Sequence, residues 1–166
     1  TFGSNMKAMP LDMPVDVHVA QCIEIAAQEF KVPEEILWAI RIVEGGRRGL
    51  VSKNSDGSID VGVMQINSVH FEEFSSKYSV KPSWLVWNNC ISVRAGAYRL
   101  SKEMTRAKSF WRGVGSYHSR TPSLNRRYVE KIKAALVAHG RTSRSLARYA
   151  EQRFEDTLTV SYQPIL

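Results

Sequence analysis

Val32-Pro33-Glu34-Glu35-Ile36-Leu37-Trp38-Ala39-Ile40-Arg41-Ile42-Val43-Glu44-Gly45-Gly46 decides how this chain folds and where its chemistry sits. Pro33 has the fixed φ of a first helical position, and Glu34 and Glu35 suit the positive end of a helix dipole. Ile36, Leu37, Ile40 and Val43 recur at helical spacing and predict one buried face. Glu44 falls four residues after Ile40 and eight after Ile36, on that same face. Gly45 or Gly46 then closes the helix in the left-handed conformation. A carboxylate so placed is drawn out of water and lies at the negative end of the dipole, and both effects disfavour the anion. Moving a glutamate from about 4.3 to about 6–7 takes roughly 3–4 kcal/mol of differential environment, and a group so tuned serves as a general acid near neutral pH. The alternative, a terminal Glu whose side chain swings past the last turn into water, stays open on position alone.

On either side of this segment the pattern is mostly helical. Asp16 is placed to cap a first helix running to about Phe30, with Cys22, Ile23, Ala26, Ala27 and Phe30 on one side. The polar stretch Ser52 to Ser58 contains Asp56-Gly57, a strong turn signal. Ile59 to Ile66 has the β-branched content of short strands and predicts a small hairpin or irregular β lobe inserted into a helical domain. Helical pattern returns at Val69 to Tyr78, around Pro82 to Trp87, and from Asn89 to Arg106. In the last of these Cys90, Val93, Ala97, Leu100 and Met104 make the buried stripe. A short helix follows from about Ser109 to Ser116. Ser123 is the expected cap of a further helix carrying Leu124, Val129, Ile132 and Leu136 and stopped by Gly140. Beyond it, Leu146, Tyr149, Ala150 and Phe154 predict one more helix, and Leu158 to Tyr162 is strand-like. The fold class is mainly α, in the α+β sense. The expected organisation is an N-terminal extension over 1–15, one domain over 16–140 and a basic C-terminal extension over 141–166.

With 166 residues, 43% of them hydrophobic and 23% charged, the chain fits one domain with a real core plus modest extensions. No stretch is long and apolar enough to span a membrane. Residues 1–14 lack a signal-peptide pattern, so an exported protein of this sequence would have had its signal removed. The net charge of +7 favours anionic partners such as cell-wall polymers, nucleic acid or membrane surfaces. The basic residues crowd late: Arg120, Arg126, Arg127, Lys131 and Lys133, then Arg141, Arg144 and Arg148, with only Glu130 against them. Both a solvated helix face and a binding patch fit that run. No nucleic-acid motif accompanies it, which argues against nucleic acid. His18, His70, His118 and His139 are scattered, no cysteine–histidine set has metal-site spacing, and no phosphate-binding glycine motif occurs, so neither a metal nor a cofactor is expected. Cys22 and Cys90 are open to two readings, a pair of buried thiols or a disulfide that would imply an oxidising compartment. Such a bond would stabilise by roughly 4 kcal/mol in the chain-entropy model.

Three pieces stand in order along the chain: Glu44 at a helix end, Gly62-Val63-Met64-Gln65-Ile66-Asn67 after a polar loop, and Gly115-Ser116-Tyr117-His118-Ser119 before a proline turn. This ordered set resembles the lysozyme-like lytic transglycosylases of the soluble-transglycosylase family. It is most similar to the small periplasmic members that accompany conjugation and secretion machines. In that family a catalytic Glu ends a core helix and is usually followed by Ser. A Gly-Leu-Met-Gln-Ile-Asn motif comes next and an Ala-Tyr-Asn motif later. The resemblance covers about Cys22 to Leu136. It implies a helical domain with a small β-hairpin lobe forming a substrate cleft, a Cys22–Cys90 disulfide, a periplasmic location and a monomer without cofactor. Its implied partners are peptidoglycan glycan strands and proteins of a secretion or conjugation machine.

The mechanism implied by the resemblance uses one residue as both acid and base. Protonated Glu44 gives its proton to the glycosidic oxygen between N-acetylmuramic acid and N-acetylglucosamine. The substrate's own acetamido group meets the developing positive charge, so no second carboxylate is needed. Glu44 then takes the proton of the sugar's C6 hydroxyl, which attacks C1 and closes a 1,6-anhydro ring. By the same resemblance Gln65 and the Met64 backbone bind the sugar, Met64 adds an apolar wall, and Gly62 lets the backbone approach substrate. Tyr117 donates its hydroxyl to Glu44, and Tyr98 and His118 are further substrate contacts. Asp60 and Asn67 are structural residues of the lobe. Plain core packing is the alternative for Met64, and a structural tyrosine for Tyr117. The chain departs from the family pattern at Gly45 for Ser, Val63 for Leu, Ser116 for Ala and His118 for Asn. Two rival readings use the same sequence: a goose-lysozyme-type hydrolase that spends a water on the same bond, and an interaction module docking a secretion complex through the basic region from Arg141.

Overall fold

The computed structural model describes Met6 and residues 8–138; the expected stop at Gly140, the helix around Leu146 to Phe154, the strand-like Leu158 to Tyr162 and the basic extension lie outside the described residues. Helices α1 (Val19–Phe30) and α2 (Glu34–Glu44) come first, then strands β1 (Val51–Lys53), β2 (Ile59–Val61) and β3 (Ile66–Asn67). A short 3₁₀ turn over Ser68–His70 leads into α3 (Phe71–Tyr78), α4 (Pro82–Trp87), α5 (Asn89–Arg106), α6 (Phe110–Ser116) and α7 (Pro122–Ala138). The mainly helical organisation with a small β lobe is therefore as predicted. The chain divides into two compact units, Thr1–Ile25 with Glu44–Gly96, and Ala26–Val43 with Ala97–Leu166.

In the first unit the three strands form an antiparallel sheet in the order β1-β2-β3, with Val51 opposite Val61, Lys53 opposite Ile59, and Asp60 opposite Asn67. The Asp56-Gly57 signal builds the first turn. Gly57 has φ +87°, and the Asp56 carboxylate accepts from the Ser58 hydroxyl at 2.6 Å and its N–H at 2.9 Å. The Ser58 hydroxyl, and then its N–H, hold the Asp56 carboxyl below the usual carboxylate range. Asp60 is satisfied within the lobe, accepting from Asn54 Nδ2 at 3.0 Å and Asn67 Nδ2 at 2.8 Å. Asn67 Oδ1 in turn accepts the Val69 N–H at 3.0 Å, which caps the 3₁₀ turn. Val61, Val63, Met64 and Ile66 are all buried.

The N-terminal arm of this unit is tied down through polar contacts. The Trp87 indole N–H donates to the Met6 carbonyl at 2.8 Å, Asn88 Nδ2 donates to the Pro14 carbonyl at 2.9 Å, and Lys81 pairs with Asp12. Asp16 does not do what its position predicts. Helix α1 starts at Val19, and the Asp16 carboxylate instead accepts the N–H of Asn89 at 2.9 Å and of Cys90 at 3.1 Å. It caps α5, because the first amides of a helix are orphan donors and an anion there also meets the positive end of the dipole. Beside it Cys22 and Cys90 form a disulfide with Cα atoms 4.9 Å apart and 68 residues of separation.

The second unit holds the apolar faces of α2 and α7. Ile36, Leu37 and Ile40 are buried as the stripe predicts and Ala39 is buried with them, whereas Val43 at the end of α2 is only half-buried. Helix α7 begins at Pro122, one position before the expected Ser123 cap, in keeping with proline's fit to the first helical turn. Val129, Ile132 and Leu136 are buried as predicted, but Leu124 is 39% exposed, and Asn125, at 6%, is buried beside Tyr128 instead. Asn125 Nδ2 lies 3.0–3.1 Å from the Arg112 carbonyl, the Ser116 hydroxyl and the Ser119 carbonyl, so it ties α6 and the turn after it to α7. A Cβ on Gly115 would strike the Asn125 amide, which is why α6 needs glycine there. Glu103 on α5, itself buried, is held by the Arg120 guanidinium through contacts of 2.7 and 3.1 Å.

Two stability outcomes follow from the first unit. Replacing Cys22 and Cys90 together by Ser should lower the unfolding free energy by about 2–4 kcal/mol in denaturant titration, and an unchanged midpoint would contradict a closed 68-residue loop. Asp16→Ala should cost about 1 kcal/mol, and hydrogen exchange should speed up at the Asn89 and Cys90 amides while the α1 amides keep their protection. The opposite pattern would restore Asp16 as the cap of α1.

Candidate active site

Two groups of sequence-predicted residues are described here separately, one in each unit. The first begins at Glu44, the half-buried last residue of α2. Gly45 has φ +65°, the left-handed closure expected of a helix-ending glycine, and no atom lies within 4 Å of where its Cβ would be. Gly46 answers to a different constraint. A Cβ there would collide with the Gly62 carbonyl oxygen and come within 2.6 Å of the Val63 carbonyl oxygen. The backbone after Glu44 therefore lies directly on the Gly62–Val63 backbone, at a distance only glycine permits.

The Gly62 to Asn67 segment is a tight turn. The Gln65 N–H donates to the Gly62 carbonyl at 3.2 Å, and Gln65 Nε2 donates to the same oxygen at 3.0 Å. Gln65 has φ +50°, in the region where side chains other than Gly, Asn and Asp are strained. Gly62 has φ +71°, and its missing Cβ would overlap the Leu85 carbonyl and sit 3.1 Å from Ser92 Oγ. The glycine at 62 is thus required by packing against α4 and α5, a demand the sequence reading assigned to substrate. Met64 follows the core-packing reading of the two open to it. Its side chain is fully enclosed and its N–H donates to Ser92 Oγ at 3.2 Å, so in this structure it fills the core and offers no wall to a ligand. Asp60 and Asn67 face each other within the β lobe.

The second group is Tyr98, Tyr117 and His118. Tyr98 is buried on α5, edge-on to Phe30 at 6.3 Å, with Lys102 Nζ 5.1 Å over its ring. Tyr117, directly after α6, is buried in a column of stacked groups. The Arg99 guanidinium lies 4.8 Å over its ring and donates to its carbonyl at 3.2 Å. Tyr128 stacks on the other members, 6.5 Å from Tyr117 with planes 17° apart and 5.0 Å from His118 with planes 12° apart. His118 is exposed.

Four supporting residues escaped the sequence reading: Gly46, Ser92, Arg99 and Tyr128. Gly46 was visible only as the second of a glycine pair, and Ser92 as a polar residue beside the α5 stripe. Arg99 and Tyr128 carried no signal, since a cation on an aromatic ring has no fixed sequence spacing. One trio among the described residues, Asp16 with Cys22 and Cys90, has ligand atoms close enough for a metal, but both sulfurs are consumed in the disulfide and leave no thiolate.

Comparison with known proteins places these features in a family. The family described as Transglycosylase SLT domain matches residues 21–135. The chain is 36% identical over 118 residues to the invasion protein IagB of Salmonella typhimurium strain SL1344, covering 68% of this chain and 73% of that protein. It is 30% identical over 117 residues to protein IpgF of Shigella flexneri, covering 70% and 75%. It is 29% identical over 103 residues to the X polypeptide of Escherichia coli strain K12, covering 61% and 60%. With a match across most of its length, the chain belongs to the transglycosylase SLT domain family, with that family's lysozyme-like fold and its lytic, peptidoglycan-directed type of activity.

Proposed function

We propose that this protein cleaves the β-1,4 bond between N-acetylmuramic acid and N-acetylglucosamine in periplasmic peptidoglycan, leaving a 1,6-anhydro end, and so opens the wall locally for a secretion or conjugation apparatus. The observation that carries this reading is the end of α2. A half-buried Glu44 is followed by a left-handed Gly45 and by a Gly46 seated on the Gly62–Val63 backbone. Glu44 is the acid and then the base. It protonates the leaving oxygen, the acetamido group of the muramoyl sugar carries the charge at C1, and the carboxylate removes the C6 hydroxyl proton as that oxygen closes on C1. No water enters, and the proton Glu44 lost returns to it.

Gln65 is the proposed sugar ligand. Its backbone strain supports this, because a non-glycine residue held at positive φ is a costly choice that often marks a functional position. The Gly62 carbonyl fixes its amide and leaves the amide oxygen and second N–H for a ligand. Tyr117 is proposed as a substrate-binding residue, with Arg99 and Tyr128 holding its ring. Tyr98 and His118 are proposed as glycan or stem-peptide contacts. The name of the Salmonella relative, an invasion protein, accords with a wall-opening role that serves export.

Digestion of purified sacculi followed by mass spectrometry tests the reaction. The wild type should release anhydro-muropeptides, one water lighter than hydrolytic products, and Glu44→Gln should release essentially none. Products of hydrolytic mass would replace the transglycosylase with a lysozyme-type hydrolase. Tyr117→Phe keeps the stacked ring and removes one donor, so kcat should fall roughly 10- to 100-fold with little change in KM or Tm. A wild-type kcat would leave that tyrosine purely structural.

A further inference from the structure

The second unit carries a feature that the bond-cleaving chemistry does not use. A cavity of about 520 Å³ lies along α6 and α7, lined in part by Trp111, Arg112, Arg126, Arg127, Glu130 and Lys133. A second cavity of about 300 Å³ shares Arg112 and adds Arg106, Lys108 and Arg120 with Glu103. The two carboxylates are already engaged, Glu103 by Arg120 at 2.7 Å and Arg106 at 3.6 Å, and Glu130 by Lys133 at 3.9 Å. Arg112, Arg126 and Arg127 are exposed and form no ion pair among the described residues. Lys133 Nζ sits 4.9 Å over the half-buried Trp111 ring, which makes one wall flat and apolar.

A solvated helix face usually mixes its charges, and like charges crowded together repel. Here the excess cations line two adjoining concavities. Guanidinium groups offer paired N–H donors that match a carboxylate, so the surface suits a chain that carries several carboxylates and small apolar groups between them. A lipid headgroup layer is flat and needs neither the concavity nor the indole. We propose that the α6–α7 face is an exosite for the carboxylate-bearing stem peptides of peptidoglycan, holding the enzyme on the wall through residues other than those that break the glycan. The inference rests on the peptidoglycan-directed reading above.

Sedimentation of the full chain with intact sacculi tests it, in the Glu44→Gln background so that the wall survives. Arg112→Ala/Arg126→Ala/Arg127→Ala should bind roughly tenfold more weakly, with a difference that shrinks as salt rises. The difference should vanish on sacculi stripped of stem peptides by an amidase. The triple Lys replacement at the same positions keeps charge but loses the paired donors, and should bind with intermediate strength. Lys53→Glu, which lowers the net charge in the first unit, should leave binding near that of the parent. Equal binding by the triple Ala variant, or a deficit that persists on stripped sacculi, would overturn the proposal. So would a deficit confined to phosphatidylglycerol vesicles, which would mark a lipid surface instead. With Glu44 restored, the triple Ala variant should cleave stripped glycan at the wild-type rate. Failure of the wild type itself to cleave glycan would refute the peptidoglycan reading independently of the exosite.

Discussion

The contact on which the first unit depends is backbone against backbone. Gly46 lies on the carbonyls of Gly62 and Val63, and Gly62 lies on the carbonyl of Leu85. Neither approach leaves room for a Cβ, so a side chain at either position would push three segments apart. The consequence runs directly to function. The end of α2, which carries Glu44, and the turn that carries Gln65 are fixed to each other by main-chain packing, whose position does not depend on rotamers. A general acid, the role proposed for Glu44, needs placement within a fraction of an ångström, and backbone contact is the stiffest way to supply it. Ser92 extends the arrangement from the α5 side by accepting the Met64 N–H.

Polar groups at helix ends do the remaining fixing. Asp16 satisfies the first amides of α5 from the N-terminal arm, and the disulfide binds Cys22 of α1 to the same turn of α5. Asn125 ties the second unit in a related way, reaching the Arg112 carbonyl within α6 and the Ser119 carbonyl beyond it from within α7. Asp16, from a distant part of the sequence, meets orphan amides that water would otherwise serve, and Asn125 gathers carbonyl groups from its own neighbourhood. Burying such groups without a partner costs about 1–3 kcal/mol each, so these residues are structural in the strict sense.

What was legible in the sequence divides along the same line. Periodicity located every described helix to within a few residues, because apolar spacing is set by the helix itself. The motif order around Glu44, Gln65 and Tyr117 indicated the family, since that order was carried by residue identity. Capping was read less well. Asp16 and Ser123 were assigned to the nearest helix start, yet Asp16 serves one more than seventy residues away, and α7 opens on Pro122. Local rules do not see a tertiary partner. Met64 and Gly62 show a second limit, since a family motif names residues without telling how far each one serves packing. On α7 the apolar stripe holds at Val129, Ile132 and Leu136, and only Leu124 departs, because the buried place at the helix start goes to Asn125, whose amide the backbone needs.

The departure at Gly45 is best understood through its backbone. A residue with φ +65° costs roughly 1–2 kcal/mol for an L side chain and almost nothing for glycine. The space around its Cβ position is open, so a serine there would meet no collision and would suffer only the conformational strain. Glycine therefore relaxes the helix end at the expense of one hydroxyl beside the acid. Gln65, by contrast, retains its side chain at φ +50° and accepts the strain. The two positions occupy similar backbone conformations and resolve them differently. That contrast separates a residue whose side chain the turn can lose from one that keeps its amide, and it supports the role proposed for Gln65 as the sugar ligand over any for the residue next to Glu44.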